Sequence, residues 1–178
     1  CGITTPDDAR LAAAAGADAI GINCYAGSKR YVEPPVAQEI AAAAGDAIAK
    51  VGVFVNATAA EIRRLAEDIP LDYVQLHGEE PPAMLAELAP LQVTRAFRCR
   101  DAGFSSIRFL AECDELKPSA VLVDAYHHAE YGGTGITLDW TEVGRQKSML
   151  NDTPVILAGG LTAENVAEAI CLARPAAV

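Results

Sequence analysis

Short apolar runs alternate along the chain with alanine-rich stretches that carry charge at helical spacing. Residues 17–24, 49–56, 71–77, 91–98, 120–125 and 153–159 form six largely apolar runs in which neighbouring positions, and so both faces of a strand, carry apolar residues. Strands that are hydrophobic on both faces belong to parallel sheets, whose faces are covered by crossover helices. Partial runs at 1–3 and 176–178 flank the six, giving eight strand positions. Between them lie helix starts. Thr4-Thr5-Pro6-Asp7-Asp8 offers a cap and first-turn acids, and Thr58-Ala59-Ala60-Glu61 is a capping box. Glu80-Pro81-Pro82 and Leu161-Thr162-Ala163-Glu164 read as two more openings, in a series of seven helices. The alanine runs at 12–15 and 41–44 read as helix surface.

Regular alternation of strand and helix predicts an α/β protein, a (β/α)8 TIM barrel filling residues 1–178 as a single domain. Such a barrel ordinarily takes roughly 200 residues or more. The chain has 178, so the barrel is expected to be truncated at strand 1 and after strand 8. A flavodoxin-like open sheet is the competing architecture, and eight strand positions argue against it.

Composition narrows the partners. The chain is 51% hydrophobic, yet charge interrupts every apolar run well before bilayer length, and the N-terminus lacks a basic, apolar leader. A soluble, cytoplasmic protein is the expectation. A net charge of −10 works against nucleic acid or an anionic membrane as partner. A small anion remains bindable where helix N-termini and an arginine supply local positive potential. Cysteines at 1, 24, 99, 113 and 171 include no C-x-x-C pair, so neither a zinc site nor a closed disulfide framework is predicted, and free thiols are.

In a barrel of this kind the chemistry sits at the C-terminal ends of the strands. The polar residues there are Cys1, Asn23 and Cys24, Asn56, Gln75 and His77, Arg95 and Arg98, Asp124, and the glycines 159 and 160. Asp124 closes an apolar strand, where partial desolvation favours a protonated carboxyl; it is a proton donor, a helix cap or an arginine partner. Cys1 is a thiolate base or an inert cysteine. Gly159-Gly160 pass from a strand into a helix and suit a phosphate. Gly132-Gly133, within Tyr131-Gly132-Gly133-Thr134-Gly135, form a second cradle, a lid or a plain turn. Arg30 is either an anion contact or a solvated loop cation. Gln75 and His77 share a strand face by the period of two, so His77 is a ligand contact or a hydrogen-bonded interior histidine. His127 and His128, adjacent in a loop, read as solvated.

Eight segments taken together carry a resemblance over the whole chain: CGIT at 1–4, GADAIG at 16–21, SKRYVEP at 28–34, VGVFVN at 51–56, VQLHGEE at 74–80, VDAY at 123–126, YGGTG at 131–135 and LAGGLTAENV at 157–166. In these the sequence resembles the phosphoribosylanthranilate isomerases of tryptophan biosynthesis. The resemblance implies an aldose-ketose isomerase, working by an Amadori rearrangement without cofactor or metal on a small phosphorylated substrate, as a monomer or homodimer. It implies that Cys1 is the general base and Asp124 the general acid. It further implies that Arg30, His77 and Gly133 hold the substrate, with Gly159 and Gly160 at its phosphate. Asn23-Cys24 stands where a hydrophobic, usually aromatic residue is expected, which alters the anthranilate pocket. A strand with a basic residue before Cys1 and a Ser-Ser-Gly phosphate loop after Val178 are also implied. Two alternatives stand beside this reading. A chain opening Cys-Gly-Ile is similar to N-terminal-cysteine amidohydrolases, which are antiparallel sandwiches and so conflict with strand-helix alternation. The other is a non-catalytic barrel that binds a phosphorylated metabolite.

Overall fold

The computed structural model describes residues 1–99, 104–113, 115–125, 139–150 and 152–178. Its strands are β1 (Ala19–Asn23), β2 (Ala49–Phe54), β3 (Tyr73–Leu76), β4 (Val93–Cys99), β5 (Ala120–Ala125) and β6 (Val155–Leu157). The helices are α1 (Pro6–Ala14), α2 (Pro34–Ala44), α3 (Ala59–Asp68), α4 (Met84–Leu88), α5 (Phe104–Glu112), α6 (Trp140–Gln146) and α7 (Val166–Ala173). Each of the six longer apolar runs thus contains one strand, and a helix precedes β1 and follows every strand. The two partial runs are not strands: each only hydrogen-bonds to a neighbouring strand, with an isolated bridge between Ala177 and Ile156. Gly2 N–H donates to the Gly21 carbonyl at 3.3 Å, and Leu157 N–H donates to that of Ala177 at 3.0 Å.

The chain forms two compact units, Cys1–Glu80 with Ala86–Val93, and Pro81–Leu85 with Thr94–Val178. In the first, β1 pairs with β2 and β2 with β3, all parallel, with Gly21 in register with Val51 and Val53 with Gln75. Ile20 and Ile22 of β1 turn the other way, into a core built with Ala9 of α1 and Ala37, Ile40, Ala41 and Ala44 of α2. Ile22 and Ile40 are fully buried, each stabilising by roughly 1.5–3 kcal/mol through lost apolar surface. Of the run 41–44 only Ala42 is exposed helix surface and Ala43 half-buried: Ala37, Ile40, Ala41 and Ala44, spaced i, i+3, i+4 and i+7, are the buried stripe of α2. Three of the four are alanines, and small side chains on that stripe let a helix approach its neighbours closely.

In the second unit β4 pairs with β5 and β5 with β6, again parallel. Phe97 of β4 meets Phe109 of α5 edge-on, with centroids 5.4 Å apart. Arg95 lies on that same face, its guanidinium 5.0 Å from the Phe97 ring and 5.3 Å from that of Phe109. Thr94, Ala96 and Arg98 consequently take the face away from α5. They share it with their register partners Ala120, Leu122 and Asp124.

Caps follow the sequence signals in part. Thr5 caps α1 through Asp8, and the box between Thr58 and Glu61 at α3 is complete. Glu80, by contrast, does not open a helix. Its side chain is buried, and α4 begins at Met84 behind the turn of Pro81 and Pro82.

At the N-terminal end of the strands, buried Lys50 of β2 pairs with Asp72, which accepts from both the Lys50 backbone N–H (2.8 Å) and Nζ (2.9 Å). The backbone hydrogen bond first, and then the ammonium, hold the Asp72 carboxyl below its ordinary range. A carboxyl lowered in the folded state contributes stability above the unfolded value of about 3.9 and loses it as pH falls through the folded value. Asp72→Asn should therefore lower the urea midpoint at neutral pH, and that gap should close as the pH falls below about 4. A gap of constant size across the titration would remove the ion pair as its source.

Candidate active site

In the first unit the face of the strands turned away from α1 and α2 carries Gly21 and Asn23 of β1, Val53 of β2, Gln75 of β3 and, one step beyond it, His77. Cys1 lies on this face because Gly21 leaves room for it: a Cβ on Gly21 would stand 2.7 Å from the Cys1 Sγ. Gly2 follows at φ +97°, a left-handed conformation that favours glycine, and Arg30 packs over it. A Cβ on Gly2 would lie 2.8 Å from the Arg30 Cδ. The structure thus brings Cys1 and Arg30 to adjacent residues, with both side chains exposed.

Arg30 sits on a loop that Asn23 closes. The Asn23 carbonyl accepts from Val32 N–H at 3.1 Å, and its buried side-chain oxygen accepts from Tyr25 N–H at 3.0 Å. Inside the loop, Ser28 Oγ accepts from the Arg30 N–H itself. Asn23 is therefore a loop-closing residue. Beside it, half-buried Cys24 has its thiol pushed up to about 11 by desolvation, so it stays protonated at neutral pH.

His77 N–H donates to the Phe54 carbonyl at 2.8 Å, and its Nδ1 lies 2.8 Å from the Gln75 Nε2. The shared strand face expected for these two residues is thus a direct contact. Glu80 was not among the candidate residues, yet its carboxylate, 4% exposed, ties this loop to the one after β2. One oxygen accepts from Asn56 N–H at 2.7 Å and the other from Gly78 N–H at 2.9 Å. Asn56 in turn accepts from Glu79 N–H through Oδ1 at 2.7 Å. The signal in the sequence is the second acid of His-Gly-Glu-Glu, standing before two prolines instead of inside a helix.

In the second unit Asp124 is half-buried near the C-terminal end of β5, with Arg98 its register partner on β4. Arg95 faces α5 and does not join them. Ala158 N–H donates to the Val123 carbonyl at 2.9 Å, so Gly159 and Gly160 leave β6 at the level of Asp124. Both glycines have positive φ, +83° and +66°. Asn165 holds their turn, donating from Nδ2 to the Gly160 carbonyl at 2.9 Å and accepting from Thr162 N–H at 2.8 Å. Helix α7 starts only at Val166, one turn later than the Leu161-Thr162-Ala163-Glu164 signal suggests. Gly133 and the rest of 131–135, with His127 and His128, lie outside the described residues. Among the described residues no cluster of three His, Cys, Asp or Glu could hold a metal, and no helix is long and apolar enough to cross a membrane.

A profile of the N-(5'-phosphoribosyl)anthranilate (PRA) isomerases matches residues 1–178. An N-(5'-phosphoribosyl)anthranilate isomerase of Neisseria meningitidis serogroup B is 43% identical over 170 residues, 96% of this chain and 78% of that protein. Among solved structures, phosphoribosyl anthranilate isomerase from Thermotoga maritima superposes with a TM-score of 0.87 at 36% identity, covering 100% of this chain and 83% of that one. A further phosphoribosyl anthranilate isomerase, solved in complex with reduced 1-(o-carboxyphenylamino)-1-deoxyribulose 5-phosphate, gives 0.83 at 32% identity, covering 100% and 82%. The (β/α)8-barrel fold read from the strand-helix alternation is that of these structures, and the chain spans about four fifths of it.

At Gly78 a Cβ would stand 2.7 Å from the Asn56 backbone nitrogen and closer still to the Asn56 Oδ1. Because backbone cannot move aside as a side-chain tip can, Gly78→Ala should cost roughly 1–3 kcal/mol of stability in denaturant titrations. A loss below about 0.5 kcal/mol, the size of an ordinary surface substitution, would show that the two loops are not so closely held.

Proposed function

Because the chain belongs to the N-(5'-phosphoribosyl)anthranilate isomerase family, we propose that it converts N-(5'-phosphoribosyl)anthranilate into 1-(2-carboxyphenylamino)-1-deoxyribulose 5-phosphate, a step of tryptophan biosynthesis. The observation that carries the reading is the family match over residues 1–178.

The reaction moves protons and needs no net oxidation. The Asp124 carboxyl protonates the furanose ring oxygen, the C1–O bond breaks, and the anilino nitrogen lone pair closes a C1=N bond, giving a protonated Schiff base. The Cys1 thiolate then takes the C2 proton, and the electron pair of that C–H bond forms C1=C2 while the C=N pair returns to nitrogen. The resulting enolamine carries a hydroxyl on C2; loss of its proton and gain of one at C1 give the ketone. The half-buried carboxyl of Asp124, near the end of β5, is the acid proposed for the first step. An exposed thiol packed beside Gly21 of β1 is the base proposed for the second.

Binding is assigned to the remaining groups. Arg30 offers a planar, permanently charged fork for a carboxylate or phosphate, on a loop already braced by Asn23 and Ser28. His77, fixed against Gln75, offers a ring nitrogen to the substrate. The positive-φ turn of Gly159 and Gly160 offers backbone N–H groups to the phosphate, and Gly133 is proposed as a further substrate contact.

The direct test follows the fluorescence of the anthranilate-bearing sugar with purified full-length protein; substrate is expected to disappear, and a flat trace overturns the reading. Cys1→Ala and Asp124→Asn should each lower turnover on the order of a thousandfold with an unchanged denaturation midpoint, because base and acid act in successive obligatory steps. Near-normal turnover in either variant would take that residue out of the mechanism. Arg30→Ala should act mainly on the Michaelis constant, raising it with a smaller change in turnover, as expected of uniform substrate binding. Unchanged constants would return Arg30 to the solvated loop.

A further inference from the structure

A carboxylate as buried as that of Glu80 is costly unless its oxygens are satisfied, and here two backbone N–H groups from different loops satisfy them, one on each oxygen. The bridge is local to the end of β3. Before it, the last hydrogen bond between β2 and β3 ends at the His77 N–H. After it, the Gly78 N–H is held by Glu80. The His77 residue therefore lies between two fixed amides, and its ring rests on Gln75. The partner loop is prepared for the same contact: Asn56 adopts φ +53°, which turns its N–H toward Glu80 and its side-chain oxygen toward Glu79 N–H. Asparagine accepts that left-handed conformation more readily than most residues. Gly78 has no side chain because Asn56 occupies the space.

We infer that Glu80 is a positioning residue for His77: by clamping Gly78 to Asn56 it fixes the backbone on the far side of the histidine and so aims the imidazole at substrate. The inference rests on the reading of His77 as a substrate contact. It assigns the second acid of His-Gly-Glu-Glu a task distinct from proton transfer, with Asn56 as its counterpart. A clamp that only stabilised the fold would cost the same whether or not His77 were present, whereas one that acts through His77 loses its effect on binding when the imidazole is removed.

The experiment is a double-mutant cycle in the full-length protein, with Glu80→Ala, His77→Asn and the pair, reading Michaelis constant, turnover and urea midpoint with the fluorescent sugar. Misplacing a binding group by about 1 Å can cost up to on the order of a hundredfold, so Glu80→Ala should raise the Michaelis constant by about tenfold. In the His77→Asn background the same change should alter it less than about twofold. Glu80→Gln, which keeps the size of the side chain but can accept with only one of its two end atoms, should reproduce a smaller rise. It also decides the matter if Glu80→Ala does not fold. Equal losses in both backgrounds, or a Glu80→Gln protein with wild-type constants, would overturn the clamp while leaving the isomerase reading in place. A His77→Asn protein that binds substrate normally would overturn the substrate-contact reading and the inference with it.

Discussion

In-register parallel pairing decides which way every strand side chain turns, and the candidate site depends on that constraint before any chemistry. A slip of one residue would exchange Gly21 for Ile20 or Ile22, placing a branched aliphatic where the Cys1 side chain now lies and a glycine in the core of α1 and α2. The same rule separates Gln75 and His77 from Val74 and Leu76 in β3. It also separates Arg98 and Asp124 from Arg95 and Phe97 in the second unit. Parallel strands add a second consequence. All C-terminal ends within a unit lie along one edge, so residues far apart in sequence reach the same level through the ladder alone.

That edge carries the irregular backbone, and its polar groups are met by side chains where no further strand pairing is available. Asn23 closes the Arg30 loop, Glu80 joins the loops after β2 and β3, and Asn165 holds the turn of Gly159 and Gly160. Each of the three is a short polar or acidic residue bonded to backbone and placed beside a residue proposed to touch substrate. The opposite edge of the first unit works differently. There Lys50 and Asp72 form a partly buried ion pair with no proposed chemistry around it. This division is expected of a barrel, whose C-terminal face carries reaction and whose N-terminal face carries stability.

Small residues link the two demands. Ala37, Ala41 and Ala44 let α2 lie close on its neighbours, and Gly21, Gly2 and Gly78 let backbone or side chains of the loops come near. An acidic chain of net charge −10 can still present cationic and N–H groups locally, because a guanidinium or a ring of backbone amides acts over a few ångströms while surface charge is screened by salt.

The sequence by itself determined the order and type of the elements, the α/β class and the residues available for chemistry. These are encoded in nearest neighbours along the chain: apolar runs, Thr58-Glu61, and the polar residue ending each run. Motifs in series were enough to identify the family. Other features needed the tertiary structure, because they depend on which distant segments become neighbours. Local pattern reads Glu80 as a helix opener, yet Asn56, twenty-four residues earlier, supplies the donor that draws its carboxylate inward. Alanines 41 and 44 have no polarity to mark them as interior; only the closeness of α1 and β1 makes them core. The period of two puts Arg95 and Arg98 on opposite faces, but only the packing of Phe97 on Phe109 decides which of them faces α5. Period and propensity act over a few residues, whereas burial and hydrogen-bond satisfaction are settled only when the chain has closed on itself.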